Sequence, residues 1–309
     1  MSIRVFAPAT VANVACGYDV LGLALGQPGD EVIIKKSDKA GVRITEITGD
    51  DGRLPTDPLK NTVGISVIKY LEAIGAKEQG LEITLHKKMP FGSGLGSSAA
   101  STVAGVFAAN ELLGKPLTQE NLLPFAMEGE RVACGSAHAD NVAPALYGGI
   151  VLIRSYKPLD VIKLPVPSEL YVTVVHPHIE VATKDARQIL KSNISFQRAI
   201  EQWGNVGGLV AGLYQEDYDL ISRSLKDVVV EPVRSILIPG FESVKQAALD
   251  NGALGGSISG SGPSIFSLCK GEEIAGQVAE AKRKAFSEIG IHCDVYVSPV
   301  NQAGPIVLD

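Results

Sequence analysis

Leu81-Glu82-Ile83-Thr84-Leu85-His86 alternates apolar and polar side chains, the period of two that a half-buried strand requires. Shorter runs at Ile3-Arg4-Val5 and from Glu31 to Lys35 predict two more strands. From Ser97 to Leu113 the pattern changes. Alanine dominates, Val103, Val106, Phe107 and Leu113 fall on one side, and Gly114 with Pro116 marks the stop, which predicts a helix with defined ends. Thr118 can N-cap a further helix running to Cys134. Leu123, Ala126, Glu130 and Ala133 share one face of it, while Glu128 points away as a solvated residue. A carboxylate on a small apolar face needs a reason, because an unpaired buried charge is costly.

After Gly148-Gly149, Ile150 to Ile153 reads as a buried strand, and the three prolines between Lys157 and Pro167 predict a crossing between domains. The mixture then repeats: strands at Leu170 to His176, Ser264 to Cys269 and Cys293 to Ser298, with helices near Lys184 to Leu190, Phe196 to Tyr214, Phe241 to Asn251 and Glu273 to Ile289. Strands and helices alternate without an internal repeat, so the fold class is mixed α/β, of the α+β kind. A length of 309 residues predicts two domains, 1–160 and 161–309.

Composition narrows the function. Lys and Arg number 28 against 34 Asp and Glu, a net charge of -6, which excludes a basic stripe for nucleic acid but not a local anion pocket. Cys16, Cys134, Cys269 and Cys293 form no C-x-x-C pair and no zinc spacing, which predicts reduced thiols. Met1 to Val14 has no signal-peptide pattern and no run of about 18 apolar residues occurs, so the expectation is a cytoplasmic protein without a membrane partner. Glycine is the outlier: 33 residues, where average usage would give about 22.

The densest cluster is Pro90-Phe91-Gly92-Ser93-Gly94-Leu95-Gly96-Ser97-Ser98-Ala99-Ala100, between a predicted strand and a predicted helix. Glycines let the backbone take positive φ and approach a ligand closely, and the N–H groups and positive end of the following helix then make an anion site. The adjacent hydroxyls of Ser97 and Ser98 can add contacts to phosphate or a metal ion. A tight strand-to-helix turn is the plainer alternative. Walker A is absent. Gly94 to Ala99 matches G-x-G-x-x-A, yet a helix rather than a strand follows, so the dinucleotide fingerprint lacks its context.

The same loop resembles the ATP-binding P-x-x-x-G-L-G-S-S-A motif of the GHMP kinases. Ala7 to Gly22 resembles the N-terminal motif of that family, and Gly255 to Ser264 its C-terminal glycine-rich loop. The three occur in the family's order over nearly the whole chain. The resemblance implies a two-domain fold: an N-terminal domain like ribosomal protein S5 domain 2, then a C-terminal ferredoxin-like α+β domain. Its activity would be phosphoryl transfer from ATP with Mg2+. The runs His138 to Pro144, Thr183 to Arg187 and Glu231 to Arg234 resemble those of members acting on L-homoserine, a small-molecule substrate whose product would be O-phospho-L-homoserine, the precursor of threonine.

Carried over residue by residue, the resemblance implies that residues 90–100 wrap the ATP phosphates and that Ser98 and Glu130 hold magnesium. A hydroxyl and a carboxylate suit that hard cation; a buried salt bridge is the alternative for Glu130. Asn61 matches an adenine contact, or serves as a helix N-cap. Arg187 and Arg234 would clamp the substrate carboxylate. Asp19 with Asn13 would take the ammonium, with His138, Asp140 and Gly260 lining the same pocket and Thr183 beside the γ-phosphate. Several GHMP kinases carry a basic aspartate eleven residues after the metal-binding glutamate, but here that position is Asn141. An amide cannot take a proton as a carboxylate does. The resemblance therefore implies catalysis by positioning and charge neutralisation, with Asp140 as the alternative base. Rival functions are a kinase for mevalonate or a similar alcohol, a non-catalytic ligand-binding relative, and, more remotely, a dinucleotide oxidoreductase. A homodimer is left open.

Overall fold

A computed structural model describes residues 1–135, 138–181 and 183–308, with the side chains at 132–134 and 183–184 outside the description. The N-terminal half runs β1 (Ser2–Ala12), β2 (Leu21–Lys36), β3 (Val42–Thr48), α1 (Thr62–Ala73), β4 (Leu81–His86), α2 (Ser97–Leu112), α3 (Leu123–Cys134), α4 (Ala139–Tyr147), β5 (Ile150–Tyr156) and β6 (Leu159–Leu164). The C-terminal half runs β7 (Leu170–Pro177), α5 (Thr183–Gln188), α6 (Phe196–Gln215), α7 (Tyr218–Ser224), α8 (Glu231–Arg234), α9 (Phe241–Asp250), β8 (Gly255–Ile258), β9 (Ile265–Lys270), α10 (Glu272–Glu288), β10 (Cys293–Pro299) and β11 (Ile306–Val307).

β2 organises the first sheet. Its later residues pair with β4, its first residues pair with β5, and β1 runs antiparallel along both stretches. The described strands follow the order β11-β1-β2-β4-β3, with β5 and β6 branching from β2. The alternation at Leu81 to His86 is a strand as expected, buried at Leu81, Ile83 and Leu85. α2 covers the sheet with buried alanines and valines, whose small volume lets helix and sheet approach closely. The second sheet has the order β10-β7-β9-β8, all antiparallel. Two strand–helix–strand units interlocked this way form the ferredoxin-like arrangement.

Several boundaries differ from the sequence expectation. Within the proline-rich stretch after Lys157, Leu159–Leu164 form β6 and pair with β5, so the first sheet extends to Leu164 and the passage to β7 begins only after it. Thr118 does not cap α3. It hydrogen-bonds the Glu120 side chain, a short 3-10 turn follows at Glu120–Leu122, and α3 begins with Pro124 in its first turn, where a missing N–H does no harm. β11 returns to the edge of β1, with Val307 opposite Val5. One hydrophobic cluster also spans both halves, from Val11 and Leu23 to Leu209, Phe266 and Leu268.

Lys282 on α10 is fully buried against the second sheet. Its Nζ donates to the Ile265 carbonyl at 2.8 Å and lies 3.3 Å from Ser267 Oγ. Burial pushes its pKa down to about 7. In the unfolded chain the group keeps its ordinary value, so between pH 7 and 10.5 the unfolded state binds more protons and stability rises with pH. Lys282→Met is expected to raise Tm below pH 7 and to flatten that slope. Melting curves at a series of pH values check it, and an unchanged slope refutes it.

Candidate active site

The three glycine-bearing segments meet. The Thr10 amide donates to the Leu95 carbonyl at 2.9 Å, the Gly260 amide to the Ala12 carbonyl at 3.3 Å, and the Ser264 amide to the Ser93 carbonyl at 3.3 Å. Ser259 Oγ adds a bond to the Gly94 carbonyl at 2.7 Å. Gly94 is at φ +75°, and a Cβ there would lie 2.4 Å from the Ser259 carbonyl oxygen. Only glycine lets these backbones pack so closely. Gly96 caps α2 at φ +67°. The first backbone bond of the helix runs from the Ala100 amide to the Gly96 carbonyl at 2.9 Å, which leaves the first-turn N–H groups as the positive end of α2.

A buried ion pair anchors that turn from below. Lys87 Nζ bonds Asp30, the Ser97 carbonyl at 2.9 Å and Ser101 Oγ at 2.7 Å. Ser97 Oγ donates to Asp30 Oδ2 at 2.8 Å. The expectation that both serine hydroxyls face a ligand is therefore corrected: Ser97 spends its hydroxyl on Asp30. Ser93, Leu95, Ala99 and Ala100 are also buried, so the loop offers mainly backbone. Asn61 is the N-cap of α1. Its Oδ1 accepts from the Val63 amide at 3.1 Å and its Nδ2 donates to the Pro55 carbonyl at 2.8 Å.

The residues expected to hold an amino acid lie together beside these loops. Arg187 forms a two-pronged pair with Asp19, at 3.1 and 3.3 Å. His138 Nδ1 lies 3.8 Å from Asp19, and ligand atoms of Asp19, His138 and Asp140 fall within 4.8 Å of one another. Asn13 Oδ1 accepts from the Asp19 amide at 3.1 Å, and its Nδ2 donates to the Gly260 carbonyl at 2.9 Å. Arg234 is buried and donates to the Ala186 carbonyl at 2.9 Å and to Gly260 at 3.0 Å. The Tyr18 ring faces both guanidinium groups, at 5.8 Å for Arg187 and 5.1 Å for Arg234. Asn13, Val14, Ala15 and Asp19 all have positive φ. Strain of that kind in non-glycine residues gathers at functional sites.

Charge is tuned by burial. Asp140 is pushed up to about 7, first by burial and then by the carboxylates of Asp19 and Glu130. Burial lowers His138 and Arg234; the guanidinium of Arg187 also repels that of Arg234. Burial opposes the charge of Arg187, but Asp19, Tyr18 and Asp140 together outweigh it and the pKa rises. Asn141 Oδ1 accepts from Thr10 Oγ1 at 2.7 Å, which fixes the amide beside Gly96 at the start of α2.

Glu130 is buried and acts electrostatically on both Lys87 and Asp140. It therefore lies within electrostatic reach of both the Lys87–Asp30 pair beneath α2 and Asp140. A Cβ on neighbouring Gly129 would meet Thr102, one turn beyond Ser98. A buried carboxylate beside that turn, with the Ser98 hydroxyl on it, is a donor set that fits magnesium. The side chain of Thr183 lies outside the described residues. Asp30, Lys87, Thr10, Tyr18 and Tyr156 are site residues that the sequence reading misses. Tyr156 bridges the Asp19 carbonyl and the Ala139 amide through its hydroxyl. Of these, only Thr10 and Tyr18 lie inside a recognisable motif.

Comparison with known proteins places this arrangement. The family profile described as GHMP kinases N terminal domain matches residues 61–149, and GHMP kinases C terminal matches 209–288. A homoserine kinase of Chloroherpeton thalassium is 55% identical over 98% of each chain, and one of Chlorobium phaeobacteroides is 54% identical over 98% of each. The crystal structure of homoserine kinase from Cytophaga hutchinsonii superposes with a TM-score of 0.97 at 67% identity, covering 99% of this chain and 97% of that one. The chain belongs to the GHMP kinase family, and these three relatives, similar to it over nearly their whole length, are homoserine kinases.

Proposed function

We propose that the protein phosphorylates the side-chain hydroxyl of L-homoserine with ATP, giving O-phospho-L-homoserine. The observation that carries this is the Asp19–Arg187 pair, with Arg234 alongside, next to the positive end of α2. An amino-acid zwitterion meets both halves of that pair: its ammonium takes Asp19 and its carboxylate takes the guanidinium groups. A mevalonate-type acid has no ammonium to match the Asp19 carboxylate. The N-terminal part, to about residue 160, would bind ATP, with the phosphates along residues 90–100 and adenine near Asn61; the remainder would complete the substrate pocket.

Transfer runs in line through a loose transition state, so the chain's work is positioning and charge stabilisation. The N–H groups of the loop and of the first turn of α2 meet the developing negative charge. The Asn141 amide holds the reacting groups without removing a proton. Ser98 and Glu130 would hold Mg2+, which neutralises phosphate charge when bound.

Coupled ADP release with ATP should require Mg2+ and should be fast with homoserine, weak with serine, and absent with mevalonate and shikimate. No turnover with homoserine overturns the proposal. Asp140 is assigned to substrate binding, although burial raises its pKa to about 7, which also suits a base. Asp140→Asn should raise the KM for homoserine and keep kcat within about tenfold. A kcat loss of about 10²–10⁴, the span of general base catalysis, at unchanged KM would make it the base instead.

A further inference from the structure

Tyr156 joins the two ends of the substrate pocket. It stands at the end of β5, where a bulge between Ile153 and Ser155 re-aims the strand. Its hydroxyl donates to the Asp19 carbonyl at 2.9 Å and accepts from the Ala139 amide at 3.3 Å. A phenol has one proton to give and a lone pair to receive with, so both capacities are in use. Ala139 opens α4, and the N-cap residue His138 makes no side-chain capping bond there. The phenol supplies the partner that a first-turn N–H lacks within its own helix. Burial and the Asp140 carboxylate push the phenol pKa up, so the hydroxyl keeps its proton at neutral pH.

Both ends of this link are anchored. Asp19 has φ +59°. Asn13 Oδ1 holds its amide at 3.1 Å and Tyr156 holds its carbonyl, the two-sided support that a left-handed non-glycine backbone needs to persist. Two residues after Ala139, Asn141 is tied to Thr10 Oγ1 at 2.7 Å, beside Gly96 at the start of α2. One line of contacts therefore runs from the phosphate loop through Asn141, the first turn of α4 and Tyr156 to Asp19 and its partner Arg187.

We propose that Tyr156 is a positioning residue that sets the substrate length the site accepts. The inference rests on the proposed phosphorylation of homoserine, with the ammonium at Asp19 and the hydroxyl on the Asn141 side. Serine is one methylene shorter. With the spacing fixed, its hydroxyl falls about 1 Å short of the phosphoryl group, and misplacement of that size can cost about 10²-fold in rate. With the link cut, the Asp19 loop and α4 shift independently, and the shorter amino acid fits better while homoserine is held less well.

Tyr156→Phe keeps the ring and removes only the hydroxyl. Initial rates with homoserine, serine and ATP each varied read the result. The KM for homoserine should rise about tenfold, as expected for the loss of two neutral hydrogen bonds, with the KM for ATP unchanged. The homoserine-to-serine ratio of kcat/KM should narrow at least about fivefold, out of the roughly 10–200-fold that one methylene is worth in a pocket. Tyr147→Phe is the control. Its hydroxyl donates to the Glu120 carbonyl at 3.0 Å at the opposite end of α4, so it loses a bond on the same helix and should keep both KM values and the ratio. An unchanged ratio in Tyr156→Phe overturns the proposal, as does equal narrowing in Tyr147→Phe or a matching rise in the KM for ATP. A wild-type protein that does not turn over homoserine overturns the phosphorylation reading as well.

Discussion

Arg187→Ala is expected to raise the KM for homoserine by about two to three orders of magnitude, with the KM for ATP and the melting temperature nearly unchanged. Each hydrogen bond between charged groups contributes about 1.5–3 kcal/mol, and the Arg187 fork makes two to Asp19. The guanidinium side chain is 44% exposed, so solvent screening reduces that value and little of the fold rests on it. Arg234, by contrast, is buried and holds the Ala186 and Gly260 carbonyls, so its removal would damage structure and binding together. Arg187 is therefore the cleaner probe. Initial rates with each substrate varied at saturation of the other separate the outcomes. Equal rises in both KM values, or a loss confined to kcat, would refute a carboxylate clamp.

The second large effect concerns Gly96. Gly96→Ala is expected to lower kcat/KM by about a thousandfold. At φ +67°, a Cβ would lie 2.1 Å from Thr10 Oγ1 and 2.8 Å from Asn141 Oδ1. The left-handed backbone alone costs about 1–2 kcal/mol for an L-residue. The clash adds the greater harm: either the Thr10–Asn141 bond breaks or the first turn of α2 moves, and a shift of about 1 Å can cost 10²-fold in rate. Gly114 supplies the control. It has φ +87° and nothing within 4 Å of an added Cβ, so Gly114→Ala carries the backbone strain without touching the site. It should lose stability yet keep kcat/KM. Equal activity losses in the two variants would show that strain, rather than displacement, is responsible.

Much of this site is legible in one dimension because its chemistry is local. A strand, a glycine loop and a capped helix occur consecutively at 81–112, and the period changes from two to 3.6 along the way. Glycine runs are visible because positive φ and close backbone approach demand them. Among the described residues no helix is long and apolar enough to cross a membrane.

What needed the tertiary structure was pairing. Asp30 and Lys87 are 57 residues apart and look like two surface charges, yet they form the buried foundation of the α2 first turn. Ile306 and Val307 are a short exposed pair whose strand identity comes only from β1. The prolines near 158 and 165 suggest a linker, whereas hydrogen bonds to β5 make a strand between them. Asp19 and Arg187, 168 residues apart, form an ion pair only where the two halves meet. Residue type and local period determined which chemistry the chain carries and which segments bear it. Long-range hydrogen bonding and burial, which no local pattern encodes, decided which of those groups face one another.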